Sequence, residues 1–228
     1  MITLEFAGTI CTGKRSLVGA LKAILKKERP DLLVKTIAQD LVILSEMIDP
    51  KKHFDRQLLL MSNVTSQLIT AQDSGIPLTF IHRGFFDGCA FLNAFVKAGV
   101  IDQKDAHPSL VYWKKMGKKM MDLVVLVETP AEEALKRARR KFGDAFKLAE
   151  PDIVFSKDFF DILDECYQDL KEHPPASSIT VNGSNPISNV QRNAETVFKA
   201  IVDMLPSVEN GDSRNGAEKP EAFSINSV

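Results

Sequence analysis

The stretch Phe6-Ala7-Gly8-Thr9-Ile10-Cys11-Thr12-Gly13-Lys14-Arg15-Ser16 constrains this chain more than any other. Gly8, Gly13 and Lys14 stand in the Gly-x-x-x-x-Gly-Lys spacing of a phosphate-binding loop. Ahead of them, Ile2-Thr3-Leu4-Glu5-Phe6 has the β-branched and aromatic content of a strand. Behind them, Leu17, Val18, Leu21, Ile24 and Leu25 fall at helical spacing. Strand, glycine turn and helix, in that order, are the context the spacing requires. The glycines let the backbone turn tightly with its N–H groups inward. A helix beginning near Lys14 aims its partial positive end at the same point, and Lys14 adds a full charge that reaches terminal phosphates. Gly8, Thr9, Cys11, Thr12, Gly13, Lys14, Arg15 and Ser16 are therefore the candidate phosphate-binding residues. A glycine turn with a surface lysine is the plainer alternative.

One position departs from the pattern. The residue after the lysine is ordinarily Ser or Thr, whose hydroxyl ligates magnesium. Here it is Arg15, and Ser16 follows one place later, so Ser16 is the candidate metal ligand. Adenylate-kinase-like loops are similar in that they read Gly-Lys-Gly-Thr and also lack a hydroxyl directly after the lysine.

At 228 residues the chain is long enough for one α/β domain with a sizeable core. A formal net charge of -1 argues against broad, non-specific nucleic-acid binding. Cys11, Cys89 and Cys166 are odd in number and widely spaced, which disfavours a disulfide framework or a zinc site and fits a reducing compartment. No apolar run has the length of a membrane span, and no signal peptide precedes the first strand. A cytoplasmic protein without a membrane partner is expected.

Taken in order, Leu32–Ala38 reads as a second strand, Leu41–Met47 as a short helix and Phe54–Gln72 as a long one. Ile76–Ile81 is a third strand running into His82-Arg83-Gly84, and Phe85–Lys97 is helical. Pro108–Lys119 is another helix. Asp122–Glu128 is the strongest strand signal, followed by a helix with Thr129 as its cap and Pro130 at its first position. Gly143–Ser156 reads as irregular, Lys157–Glu172 as helix, Ser178–Val181 as a fifth strand and Ile187–Met204 as a last helix. The polar composition beyond predicts a disordered tail over 206–228. Five apolar strands alternating with helices predict a parallel sheet covered on both faces. Ligands bind at the carboxyl ends of such strands, where the loop, His82-Arg83, Glu128 and Asn182-Gly183 all fall.

At this point the chain resembles the P-loop kinases of the thymidylate kinase and deoxynucleoside kinase group. The resemblance covers about residues 1–205. It rests on Gly8 to Ser16, on His82-Arg83-Gly84-Phe85-Phe86-Asp87, on Asp122 to Arg140 and on Asp158 to Leu170 with Tyr167. It implies a three-layer α/β/α P-loop NTPase fold whose five-stranded parallel sheet has the order 2-3-1-4-5. It also implies ATP and Mg2+ on the loop, a small-molecule phosphate acceptor opposite, a lid over about 140–156, and a homodimer formed through helices on one side of the sheet. The implied reaction is ATP-dependent phosphoryl transfer to a nucleoside or nucleoside monophosphate. The alternative is a regulatory or degenerate P-loop protein that binds ATP with little transfer.

Phosphoryl transfer depends on positioning and positive charge. Lys14, Arg83, Arg137 and Arg140 are candidate catalytic cations. For the run Arg137, Arg139 and Arg140, a solvated helix face paired with Glu132 and Glu133 is the competing reading. His82 departs from the family, which has an acid there. It is a poor magnesium ligand, and as a neutral imidazole it accepts a proton. Asp87, one helical turn beyond Arg83, and Glu128 are the candidate carboxylates. Asn182 joins the nucleotide-binding set. Phe85, Phe86, Phe91 and Phe95 read as core, His53, His107 and His173 as surface residues, and Gln57 as a surface residue rather than a contact to an acceptor base.

Overall fold

The computed structural model describes residues 1–38, 52–148, 153–172, 177–184 and 186–205. The helix expected over 41–47, the tail over 206–228, His173 and part of the expected lid lie outside the described residues.

Five strands form one parallel sheet: β1 (Ile2–Ala7), β2 (Val34–Ala38), β3 (Leu78–His82), β4 (Leu123–Glu128) and β5 (Ser178–Asn182), in the order β2-β3-β1-β4-β5. β1 is central. Leu4 lies opposite Phe80 of β3 and Leu123 of β4, and Phe6 lies opposite His82. The register therefore brings the end of β3 beside the start of the phosphate loop.

Side-chain alternation along β1 divides the core in two. Leu4 and Phe6 face one layer and pack with Leu17, Leu21 and Leu25 of α1 (Lys14–Glu28) and Val197 and Ile201 of α7 (Pro186–Met204). Ala7 joins the other layer, built from α2 (His53–Asp73), α3 (Phe85–Lys97), α4 (Gln103–Met120) and α6 (Lys157–Glu172). That core holds Phe85, Phe86, Phe91 and Phe95, so these rings are core. His53 is half-buried and stacks on Phe95, with ring centroids 4.7 Å apart, and is not a free surface residue.

Most boundaries fall within a few residues of the sequence expectation, and those of two helices differ for a visible reason. Helix α4 starts at Gln103 because the Asp102 side chain accepts the Lys104 N–H at 3.0 Å and caps it, leaving Pro108 inside the helix. Regular helix in α5 (Ala131–Leu148) breaks at Gly143, where the backbone leaves helical geometry at φ 49° and ψ -121°, and helical backbone resumes beyond it within the stretch expected to be irregular. Its first turn closes from the Ala134 N–H to the Pro130 carbonyl. The Thr129 hydroxyl, buried, is instead 3.4 Å from the Thr12 carbonyl of the phosphate loop.

Candidate functional site

The loop follows β1 directly, with Gly8 at φ 142°, Cys11 at φ 63° and Gly13 at φ 100° before α1 begins at Lys14. Lys14 lies back across this turn. Its ammonium donates to the carbonyls of Gly8 and of Thr9, the latter at 2.7 Å, and sits 3.4 Å from the Thr12 hydroxyl. Only 4% of the residue is exposed. Burial pushes its pKa down to about 7, against the pull of Asp87 and with the push of Arg83.

His82 and Arg83 come off the end of β3 beside the loop. Arg83 takes a left-handed backbone at φ 69°. Its guanidinium lies 3.3 Å from the Asp87 carboxylate and 4.5 Å from the centroid of the Phe91 ring. Burial first, then Lys14 and Arg83, push His82 down to about 3, so its imidazole is neutral across the physiological range.

Asp87 is 1% exposed. It accepts the Gly8 N–H at 2.9 Å and the hydroxyl hydrogen of Tyr167, and it pairs with Arg83. A carboxylate expected to face the acceptor is thus committed to holding the first amide of the loop. Glu128 pairs with Lys171 at 2.9 Å and borders a small pocket beside Gly8 and Thr9.

Glu5 is a residue beside the loop that sequence reasoning missed. Fully buried on β1, its carboxylate accepts the N–H groups of Gly84 at 3.0 Å, Phe86 at 3.0 Å and Asp87 at 2.8 Å. These are orphan donors at the start of α3, capped from another element. Gly84 is required here, because a Cβ at that position would lie 2.6 Å from the Glu5 carboxyl carbon. Burial, with the Asp87 charge, raises Glu5 to about 7. The available signal was a lone acid in an otherwise apolar strand.

The far side of the loop is held by β4 and β5. Arg137 donates to the carbonyls of Gly183, at 2.8 Å, and Ser184, and pairs with Glu133 at 3.0 Å. Asn182 accepts the Ser184 N–H at 2.8 Å. Gly183 presses on the loop so closely that a Cβ would stand 2.3 Å from the Thr12 carbonyl and 2.6 Å from the Thr129 hydroxyl.

Lys14, Arg15, Ser16, His82, Arg83 and Arg137 line one cleft of about 390 Å³, together with Cys11, Thr12, Gly13 and a partly apolar wall of Ile10 and Phe142. Lys141 lines it too, whereas Arg140 is exposed and does not. Asp87, Glu128 and Asn182 are not part of the lining. Gln57 is half-buried and also lies outside it. A larger groove of about 690 Å³ between α2 and α4 carries no charged side chain and is remote from the loop.

Magnesium takes oxygen ligands, usually with one or two carboxylates. Among the described residues the cleft presents the cations Lys14, Arg15, Arg83, Arg137 and Lys141 and no carboxylate. Among the described residues no cluster of His, Cys, Asp or Glu is placed to hold a metal. Ser16 and Thr12 supply only hydroxyls. This donor set does not fit a magnesium ion held by the protein.

No family model and no curated protein sequence matches the chain. Solved structures do. Deoxyadenosine kinase from M. mycoides with bound dATP superposes with a TM-score of 0.64 at 15% identity, covering 88% of this chain and 100% of that one. The same enzyme with products dCMP and a flexible dCDP gives 0.63 at 14% identity over 89% of this chain and 100% of that one. The fold is that of a deoxynucleoside-kinase-like P-loop protein. The strand order β2-β3-β1-β4-β5 agrees with it.

Proposed function

We propose that the cleft binds the phosphate chain of ATP and that the protein transfers a phosphoryl group to a nucleoside or nucleoside monophosphate. The observation that carries this reading is the gathering of Lys14, Arg15, Arg83, Arg137 and Lys141 around a phosphate loop. The fold likeness to a kinase described with dATP supports it. Lys14 would leave its own loop carbonyls for the phosphates. Arg83, braced by Asp87, and Lys141 would face the charge on the transferred group. Arg137 serves by holding Gly183 and Ser184, and Asn182 orders the same turn. With a pKa pushed down to about 3, His82 is a weak proton acceptor. Transfer would therefore rest on positioning and charge. Cys11, Cys89 and Cys166 are unpaired, as a reducing cytoplasm allows. The exposed apolar residues Leu58, Ile69 and Tyr112 along the α2–α4 groove support a homodimer through that face.

A second reading is an ATP-binding regulatory protein with little transfer. The absence of a carboxylate among the described residues of the cleft lining favours it. A screen with labelled ATP over nucleosides and monophosphates, run beside calorimetric ATP binding, separates the two. Transfer to any acceptor supports the kinase reading, and tight binding without transfer supports the regulatory one.

A further inference from the structure

The charge pattern of the cleft, more than its fold, says in what form the phosphate chain enters. Arg15 occupies the place after Lys14 where a metal-ligating hydroxyl ordinarily stands, and it lines the cleft. Lys141 faces it from the last part of α5 before the bend at Gly143. Among the described residues the acids near the loop lie outside this lining: Glu128 and Asp164 border a separate small pocket beside Gly8 and Thr9. Asp87 holds the Gly8 N–H, Glu5 caps α3, and Glu128 pairs with Lys171. His82 closes the lining with a nitrogen base that magnesium disfavours.

We propose that this cleft binds the phosphate chain of a nucleotide bare, without a divalent cation, with Arg15 and Lys141 supplying the charge that a metal would otherwise supply. This rests on the cleft being a phosphate site, and it goes beyond that reading in naming the ligand's form. A magnesium ion on the chain would cancel two of its negative charges, weaken its attraction to all the lining cations and meet the charge of Arg15 with no carboxylate among the described lining residues to hold it. Metal therefore competes with binding instead of assisting it.

The test is calorimetric titration of the full chain with ATP, once in excess EDTA and once in excess magnesium, beside tripolyphosphate in EDTA. ATP is expected to bind tighter in EDTA by roughly three- to tenfold, the direction set by charge in a partly desolvated cleft. Arg15→Thr, an exposed position whose change leaves the core untouched, is expected to weaken metal-free binding and to reverse the preference toward magnesium-ATP. Tighter binding with magnesium in the unaltered protein overturns the proposal. If ATP binds in neither condition while tripolyphosphate binds in EDTA, the nucleotide reading falls and the bare-phosphate site stands. If neither ligand binds in EDTA, this inference falls as well.

Discussion

The carboxylate of Glu5 accepts the backbone N–H of Asp87 at 2.8 Å, and the side chain of Asp87 accepts the backbone N–H of Gly8 at 2.9 Å. β1 thus caps the start of α3, and the first turn of α3 in return holds the loop that follows β1. Tyr167 on α6 closes the arrangement by donating to Asp87. The phosphate loop is shaped by two buried acids that never reach the cleft.

Removing the Glu5 cap should be costly. Glu5→Ala leaves buried N–H donors without an acceptor, and the expected loss of stability is about 3 kcal/mol. Glu5→Gln keeps an acceptor oxygen and should lose less than half of that. Denaturant unfolding of both variants checks the ranking, and an equal loss would mean that the full carboxylate, not one acceptor oxygen or the packing, is what Glu5 contributes.

The pH dependence of stability carries two opposed signs. Glu5, raised from 4.5 to about 7 in the fold, contributes stability fully present below 4.5 and lost as pH rises through about 7. His82, lowered from 6.5 to about 3, contributes stability present above 6.5 and lost as pH falls toward about 3. In their shared window the two oppose each other. Unfolding of Glu5→Gln between about pH 4.5 and 6.5 should therefore show stability rising with pH more steeply than in the unaltered protein. A slope unchanged by the substitution would contradict a raised Glu5.

ATP binding should take up a proton at Lys14. Buried on its own carbonyls, this lysine titrates at about 7, and phosphates beside it would return it toward the ordinary lysine range. Affinity should fall as pH rises above about 7, the free protein having to acquire the proton first. Titrations at about pH 8 in buffers of different ionisation enthalpy read the uptake directly, and buffer-independent heats would show that Lys14 is already charged.

Gly183→Ala should disturb the loop from the far side. The added methyl meets the Thr12 carbonyl backbone, which has no flexible end to give way. The expected cost is about 1–3 kcal/mol, as for other overpacked sites, with ATP affinity falling further than in Asn182→Ala. Thermal unfolding and calorimetry together check it, and an unchanged affinity would mean that the loop moves without consequence.

Of the two neighbouring cations on α5, Lys141→Ala should weaken ATP binding several-fold and Arg140→Ala should leave it near unaltered, since only Lys141 lines the cleft. The reverse ranking would require α5 to turn about its bend at Gly143 when the ligand binds.

The loop spacing, the parallel sheet and helices α3 and α6 are legible in the sequence because each is written locally. Apolar periodicity, β-branched runs and glycine turns act over a few residues. Local signals also mislead where two compete. Pro108 resembles a helix start, yet Asp102 supplies the cap, and Gly143 does interrupt the helix as its residue type suggests, but helical backbone resumes after it. Which candidate faces the cleft was not legible. The spacing puts Asp87 on the side of Arg83, and the two do pair. Whether that side meets solvent or Tyr167 depends on α6, far away in the chain. The sequence by itself determined a strand, a phosphate loop and a helix inside a parallel α/β sheet, with Arg15 and His82 at places that ordinarily suit a metal. Only the tertiary structure decided that Glu5 caps α3, that Asp87 holds Gly8, that Arg137 grips Gly183, and that the described residues lining the cleft bring cations without an acid. A buried polar group must find a partner, and the partner is whatever distant element the packing brings within about 3 Å, which no local pattern of residues encodes.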